Sequence, residues 1–156
     1  MINILRTDAK HPDFIELVKH LDANLAEIDG EDHAFYAQFN TIGPIKFAVV
    51  AYENERPLGC GALKEFDPDT MEIKRMYTSP EFRGKGAATR ILRELENWAA
   101  ELSCKKCILE TGKRQPEAIR LYQRNGYLPI PNYGQYAGIE NSVCFEKQLD
   151  QKTFPQ

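Results

Sequence analysis

No apolar run in this chain is longer than the stretch Phe47–Tyr52. That is far short of the ~20 residues a membrane-spanning helix needs, so no membrane partner is expected. The opening Met1-Ile2-Asn3-Ile4-Leu5-Arg6, with Asp8 just after it, has no basic segment leading into an apolar stretch. No secretory signal is expected from it, and the expected compartment is cytoplasmic. Charge of one sign is missing too: 20 Lys and Arg stand against 23 Asp and Glu, a net charge of −3. That argues against wholesale attraction to nucleic acid. Histidine is scarce, and His11, His20 and His33 all fall in the first quarter without ligand spacing. Of the four cysteines, Cys60 and Cys144 stand alone in apolar strand patterns. Cys104 and Cys107 form a C-x-x-C where a helical pattern ends and a strand pattern begins, not at the head of a helix where the dipole would lower a thiol pKa. Structural cysteines and no metal are the expectation.

What is present is an ordinary globular composition, 42% hydrophobic and 28% charged over 156 residues. That length suits a single domain, expected over 1–149, with a loose polar tail at 150–156. Ile2–Leu5 reads as a first strand. Phe14, Leu17, Val18, Leu21, Leu25 and Ile28 recur at helical spacing, with Pro12 at the first-turn position. Glu27–Asp32 reads as an acidic turn. Ile45–Tyr52, Leu58–Phe66 and Met71–Thr78 form an antiparallel meander joined at Asn54-Glu55 and Asp67-Pro68-Asp69. The period then changes, and Ala88, Ile91, Leu92, Leu95, Ala99 and Leu102 predict a helix from about Gly84 to Leu102. Cys107–Thr111 is a short buried strand. Pro116 opens a helix that Gly126 closes. Tyr127–Ile130 and Val143–Leu149 complete the strands, around a long loop at Pro129–Gly138. The order β-α-β-β-β-α-β-α-β-β predicts an α/β fold: a mixed sheet with helices on both faces.

The sharpest chemical signal is Arg83-Gly84-Lys85-Gly86-Ala87-Ala88. It follows a strand and a loop and opens an amphipathic helix. Two glycines permit close backbone approach. The first amides of a helix lack partners, and the dipole favours an anion there. Arg83 and Lys85 add positive charge, so the segment points to a phosphate or pyrophosphate. It lacks the G-x-x-x-x-G-K-[ST] of a Walker loop. It also departs from a dinucleotide fingerprint, because Thr89 holds the third glycine position and Ser79–Arg83 separates strand from glycine.

Arg83-x-x-Gly86-x-Ala88 resembles the acyl-CoA pyrophosphate loop of the GNAT superfamily of N-acetyltransferases. Glu72–Tyr77 resembles the strand before that loop. Glu117–Tyr127, with its Ala118-x-x-x-Tyr122 and closing Gly126-Tyr127, resembles the later helix of the family. The likeness covers about Ile45–Leu149. It implies that amides of Gly84, Lys85, Gly86, Ala87 and Ala88 hold the CoA pyrophosphate beside Arg83. It implies that Met76, Tyr77 and Thr78 pair through their backbone with the pantetheine arm, where the strands Met71–Thr78 and Cys107–Thr111 splay. Many members carry Asn just before the later helix; Gln115 stands here and offers the same kind of amide.

The implied chemistry is attack of a neutral amine on a thioester, with a backbone N–H near Met76 or Tyr77 stabilising the oxyanion. Periodicity alone makes Tyr122 a core aromatic; the resemblance makes it the acid that protonates the leaving thiolate, with an alkaline fall in rate as it ionises. Glu72 and Glu110 are the candidate bases, each of which could equally be a paired carboxylate. Tyr133 and Tyr136, in the loop where such proteins bind acceptors, are candidate substrate contacts; the other reading is loop packing. The expectation is therefore an N-acetyltransferase that moves an acetyl group from acetyl-CoA directly to a primary amine of a small molecule or peptide. The resemblance also allows a homodimer. The alternative is a catalytically silent acyl-CoA sensor.

Overall fold

The computed structural model describes residues 1–38 and 45–149; the expected tail at 150–156 lies outside them. The strands are β1 (Ile2–Thr7), β2 (Phe47–Glu53), β3 (Arg56–Asp67), β4 (Thr70–Thr78), β5 (Lys106–Gly112), β6 (Leu128–Ile130) and β7 (Ser142–Gln148). The α-helices are α1 (Pro12–Asp29), α2 (His33–Ala37), α3 (Ala87–Glu101) and α4 (Pro116–Arg124). The sheet runs β1-β2-β3-β4-β5-β7-β6 and is mixed. β1 with β2, β2 with β3, β5 with β7 and β6 with β7 are antiparallel, whereas β4 and β5 are parallel. The predicted element order holds, with α2 as an addition.

Strand ends shift from the sequence reading by one or two residues, and other differences bear on the site. Glu27 to Asp29 belong to the last turn of α1, whose final residue Asp29 is buried; only Gly30–Asp32 forms a tight 3-10 turn. Helix α3 starts at Ala87 rather than Gly84, because Gly84 (φ 80°) and Gly86 (φ 82°) take left-handed backbone that a helix interior excludes. Pro129 and Ile130 belong to β6, within the expected strand Tyr127–Ile130, and the loop beyond it holds a 3-10 turn at Gly134–Tyr136.

The residues group into two compact units, Met1–Lys64 with Lys74–Leu95, and Glu65–Ile73 with the chain from Glu96 onward. In the first unit, strand alternation sorts side chains to two helices. Ala48, Val50, Cys60, Ala62 and Tyr77 pack with Phe14, Leu17, Val18 and Leu21 of α1. The intervening positions on β3 are Gly59 and Gly61, which lie under α3. A β-carbon at Gly61 would come within 2.8 Å of Leu95 and of the Met76 sulfur, so only glycine lets that helix sit so close. Arg6 of β1 ties to Glu94 of α3 at 2.7 Å. Helices therefore cover both faces of this part of the sheet, as the sequence predicts.

The second unit is organised by β5. Cys107 and Leu109 alternate with Ile108 and Glu110, and Leu109 pairs with Phe145 of β7. Tyr122 of α4 packs on Phe145 with ring centroids 6.4 Å apart, and edge-on to Tyr127 at 5.7 Å. The Tyr127 hydroxyl donates to Glu96 at 2.9 Å, and Lys147 donates to the same buried carboxylate at 2.9 Å. That pair of donors neutralises an acid that would otherwise be costly inside.

Candidate active site

Ser79 ends β4 and donates to the Leu58 carbonyl of β3 at 2.8 Å. A 3-10 turn, Pro80–Phe82, carries the chain to Arg83 and the two left-handed glycines. A β-carbon at Gly84 or Gly86 would meet nothing within 4 Å, so the space over this backbone is open. The first helical bond of α3 runs from the Arg90 amide to the Gly86 carbonyl at 3.1 Å. The amides of Ala87 and Ala88 precede it and have no partner in the helix. Open space over the backbone at Gly84 and Gly86, together with the positive end of the α3 dipole, suits an anion.

The basic side chains beside it are less free than the sequence implies. Arg83 turns back, its Nε donating to the Thr78 carbonyl at 2.9 Å and its guanidinium lying 5.8 Å from the Tyr77 ring centre. Lys85 sits 5.6 Å from the ring centre of Phe82, and Arg56 sits 5.3 Å from it. Arg56, from the start of β3, was not among the predicted residues. Sequence reasoning had no signal for it, because only the fold carries the β2–β3 turn to Phe82.

Upstream, β4 contains Arg75 at φ 57°. Among the described non-glycine residues with positive φ, Asn54, Glu55 and Ser103 lie in turns, and Arg75 alone lies within a strand. That conformation costs a bulky L-residue about 1–3 kcal/mol. The Arg75 carbonyl accepts the Cys60 thiol of β3 at 3.4 Å. Since Ser79 also faces β3, the alternation turns the Tyr77 amide toward β3 and the Met76 and Thr78 amides away from it. Of the two expected oxyanion donors, Met76 therefore has the amide aimed out of the β3 ladder. The parallel register of β4 with β5 covers Thr70↔Lys106 to Glu72↔Ile108, all ahead of Arg75.

In the second unit, the pairings Glu72↔Ile108 and Glu110↔Cys144 put Glu72, Glu110 and Cys144 on one face of the sheet. Glu72 is buried and accepts the Tyr133 hydroxyl at 2.6 Å. Tyr133 is edge-on to Tyr136 at 5.8 Å and to half-exposed Phe66 at 5.4 Å. The two loop tyrosines and the first candidate base therefore form one cluster, and Phe66 joins it unforeseen. Burial pushes the Tyr133 and Tyr136 hydroxyls well above the usual tyrosine range, with Glu72 adding to both and Glu110 to Tyr136. Tyr122 lies with Phe145 on the opposite face. Burial, and after it the Glu110 charge, pushes its hydroxyl far above the usual value. Burial of this hydroxyl argues against the expected alkaline fall in rate. Gln115 is the N-cap of α4, and its side chain makes no capping bond.

All four cysteines are free and buried. Burial raises the Cys60 and Cys107 thiols to about 12, and the Cys144 thiol to about 11. Cys144 shares the face of the two carboxylates, whose charges add to burial in keeping it protonated.

Comparison with known proteins agrees with this geometry. Residues 13–127 match the acetyltransferase (GNAT) family. An IAA acetyltransferase of Azospirillum brasilense is 27% identical over 95% of this chain and 98% of its own. The solved structure of an acyl-CoA N-acyltransferase candidate from Klebsiella pneumoniae subsp. pneumoniae MGH 78578 is 30% identical, with TM-score 0.81 over 96% of this chain and 99% of that one. A GNAT acetyltransferase from Elizabethkingia anophelis, solved with acetyl-CoA bound, shares the fold at TM-score 0.68 and 20% identity over 95% and 98%. This chain belongs to the GNAT acetyltransferase family. It is an N-acetyltransferase whose cosubstrate is acetyl-CoA. No described helix is long and apolar enough to cross a membrane.

Proposed function

We propose that the acetyl group passes directly from the acetyl-CoA thioester to a primary amine, with no acetyl-enzyme intermediate. The observation that carries this reading is the state of the cysteines. All are buried, and Cys60, Cys107 and Cys144 have thiols at about 11 to 12, so none offers a thiolate at neutral pH. In the proposed step the amine nitrogen attacks the thioester carbonyl carbon, and the Met76 N–H meets the oxygen as it gains charge. The C–S bond then breaks as the CoA sulfur takes the Tyr122 proton, Glu72 takes the proton lost by the amine, and that proton passes through water back to Tyr122, which regains its hydroxyl. Glu110, whose charge acts on both Tyr122 and Tyr136, is the second candidate for that proton. The amides of Gly84 to Ala88, with the charge of Lys85 beside them, hold the pyrophosphate; Arg83 contributes by bracing Thr78. Met76 and Thr78 pair with the pantetheine amides, Tyr77 lies beneath them, and Gln115 lends its free amide to the same arm. Tyr133 and Tyr136 contact the acceptor.

The test is a thiol-release screen of small amines and peptides with acetyl-CoA, run beside thermal melts with CoA and with NAD. CoA should raise the melting temperature by mass action and NAD should not. At least one amine should release thiol in step with its own acetylation. Stabilisation by NAD and not by CoA, or an acetylated cysteine isolated after quenching, would overturn the reading.

A further inference from the structure

The left-handed backbone at Arg75 needs something to hold it, and the structure supplies a single charged contact. The Arg75 side chain is 1% exposed, and its Nη2 is hydrogen-bonded to the carboxylate of Asp22 on α1, itself half exposed. Its Nε is buried and has no hydrogen-bond partner among the described residues. The chain therefore buries a cation on an apolar face, among the residues that receive Phe14, Leu17 and Leu21, where Asp22 neutralises it. Extended backbone at residue 75 would follow the regular alternation of β4 and swing this guanidinium and the next amide together. The residue that carries the unusual φ is thus also the residue whose side chain is tethered across to α1.

We propose that Asp22 and Arg75 are positioning residues for acetyl transfer: their ion pair locks the positive φ at residue 75 and so aims the Met76 amide at the thioester oxygen. The proposal rests on the transfer reading above for its catalytic part. Its structural part, that the ion pair sets the backbone, stands separately.

Two readouts keep the parts apart. The first is the three-bond HN–Hα coupling of residue 75, read by NMR in the whole protein. Wild type should report left-handed backbone, and Asp22→Ala should move the coupling to the extended range. The second is steady-state kinetics. Asp22→Ala should lower kcat about tenfold or more, because a displaced oxyanion donor forfeits part of the roughly 10²–10³-fold it supplies, with the KM for acetyl-CoA little changed. Adding Arg75→Gly to Asp22→Ala removes the unpaired buried cation and installs a residue at ease with positive φ. The double variant should fold if the single one does not, and should recover most of the lost kcat. A merely structural ion pair predicts the reverse, since the glycine leaves a void where the guanidinium was. An unchanged coupling in Asp22→Ala overturns the proposal, as does a folded, CoA-binding double variant that stays as slow as the single one. A wild type that binds CoA yet transfers to no amine would instead sink the transfer reading, with the coupling still deciding what the ion pair does.

Discussion

The loop at Arg83–Ala88 and the tyrosine–carboxylate cluster on β4, β5 and β7 make their chemistry from different parts of the chain. The proposed loop site would work through main-chain amides of consecutive residues, under open space, with two glycines whose φ other residues rarely adopt. The cluster works through side chains drawn from distant positions: Glu72 and Tyr133 lie 61 residues apart yet meet at 2.6 Å. A main-chain site tolerates exchange of most side chains but not of its glycines. A side-chain site loses its function to the removal of one hydroxyl or carboxylate.

The difference can be broken most forcefully at Gly86. Gly86→Glu adds a carboxylate where the pyrophosphate should sit and forces an L-residue to φ 82°. CoA affinity should fall about 10²-fold or more, each lost charge-assisted bond being worth about 1.5–3 kcal/mol. Gly86→Ala, which strains the backbone without the charge, should cost much less, because the added methyl meets nothing within 4 Å. Equal losses from the two variants in calorimetric titration would mean that strain, and not anion exclusion, accounts for the effect.

On the cluster side, Glu72→Gln should cut kcat/KM for the amine about 10²-fold while CoA affinity holds. Tyr133→Phe, which deletes only the donor to Glu72, should cost about tenfold or less. If Tyr133→Phe proves the costlier change, Tyr133 and not Glu72 handles the proton.

The smallest effect at neutral pH lies in the thiols. Cys60, Cys107 and Cys144 keep their protons to about 11 or 12 in the folded protein but only to about 9 in the unfolded chain. Above pH 9 the unfolded state therefore binds fewer protons, and stability must fall as pH rises toward 11 and 12. The slope is about 1 kcal/mol per pH unit for each thiol. Urea titrations at pH 8 and pH 10 measure it, and a thiol-specific reagent should label no cysteine until the protein unfolds. Fast labelling of native Cys144 would contradict its burial.

The same contrast explains what could be read from the amino-acid order. The meander, the two long amphipathic helices and the Gly84–Gly86 loop are local patterns, each written within about a dozen residues, and each forms near where the spacing puts it. The start of α3 was misjudged by three residues because periodicity cannot tell a left-handed glycine from a helical one. The pairing of Tyr133 with Glu72, the stacking of Arg56 on Phe82 and the reach of Asp22 to Arg75 depend on strand register, which no window of sequence contains. One signal was nevertheless available: Ile73, Arg75 and Tyr77 alternate along β4, so Arg75 occupies a core-facing position. The raised pKa of Tyr122 likewise depends on its depth beside Phe145 and on Glu110, not on residue type.

In the proposed reaction the loop holds the cosubstrate and Tyr122 supplies a proton. The direct test is kcat against pH for Tyr122→Phe, with CoA affinity and melting temperature measured on the same sample. The variant keeps the ring against Phe145 and Tyr127 and deletes only the hydroxyl. The prediction is a kcat about 10²-fold below wild type, at the lower end of general acid catalysis, with CoA affinity and stability nearly unchanged. Both enzymes should gain rate with rising pH as the amine loses its proton, and neither should show a falling limb from Tyr122. A folded Tyr122→Phe with the wild-type kcat would return Tyr122 to the core and leave the leaving thiolate without its acid.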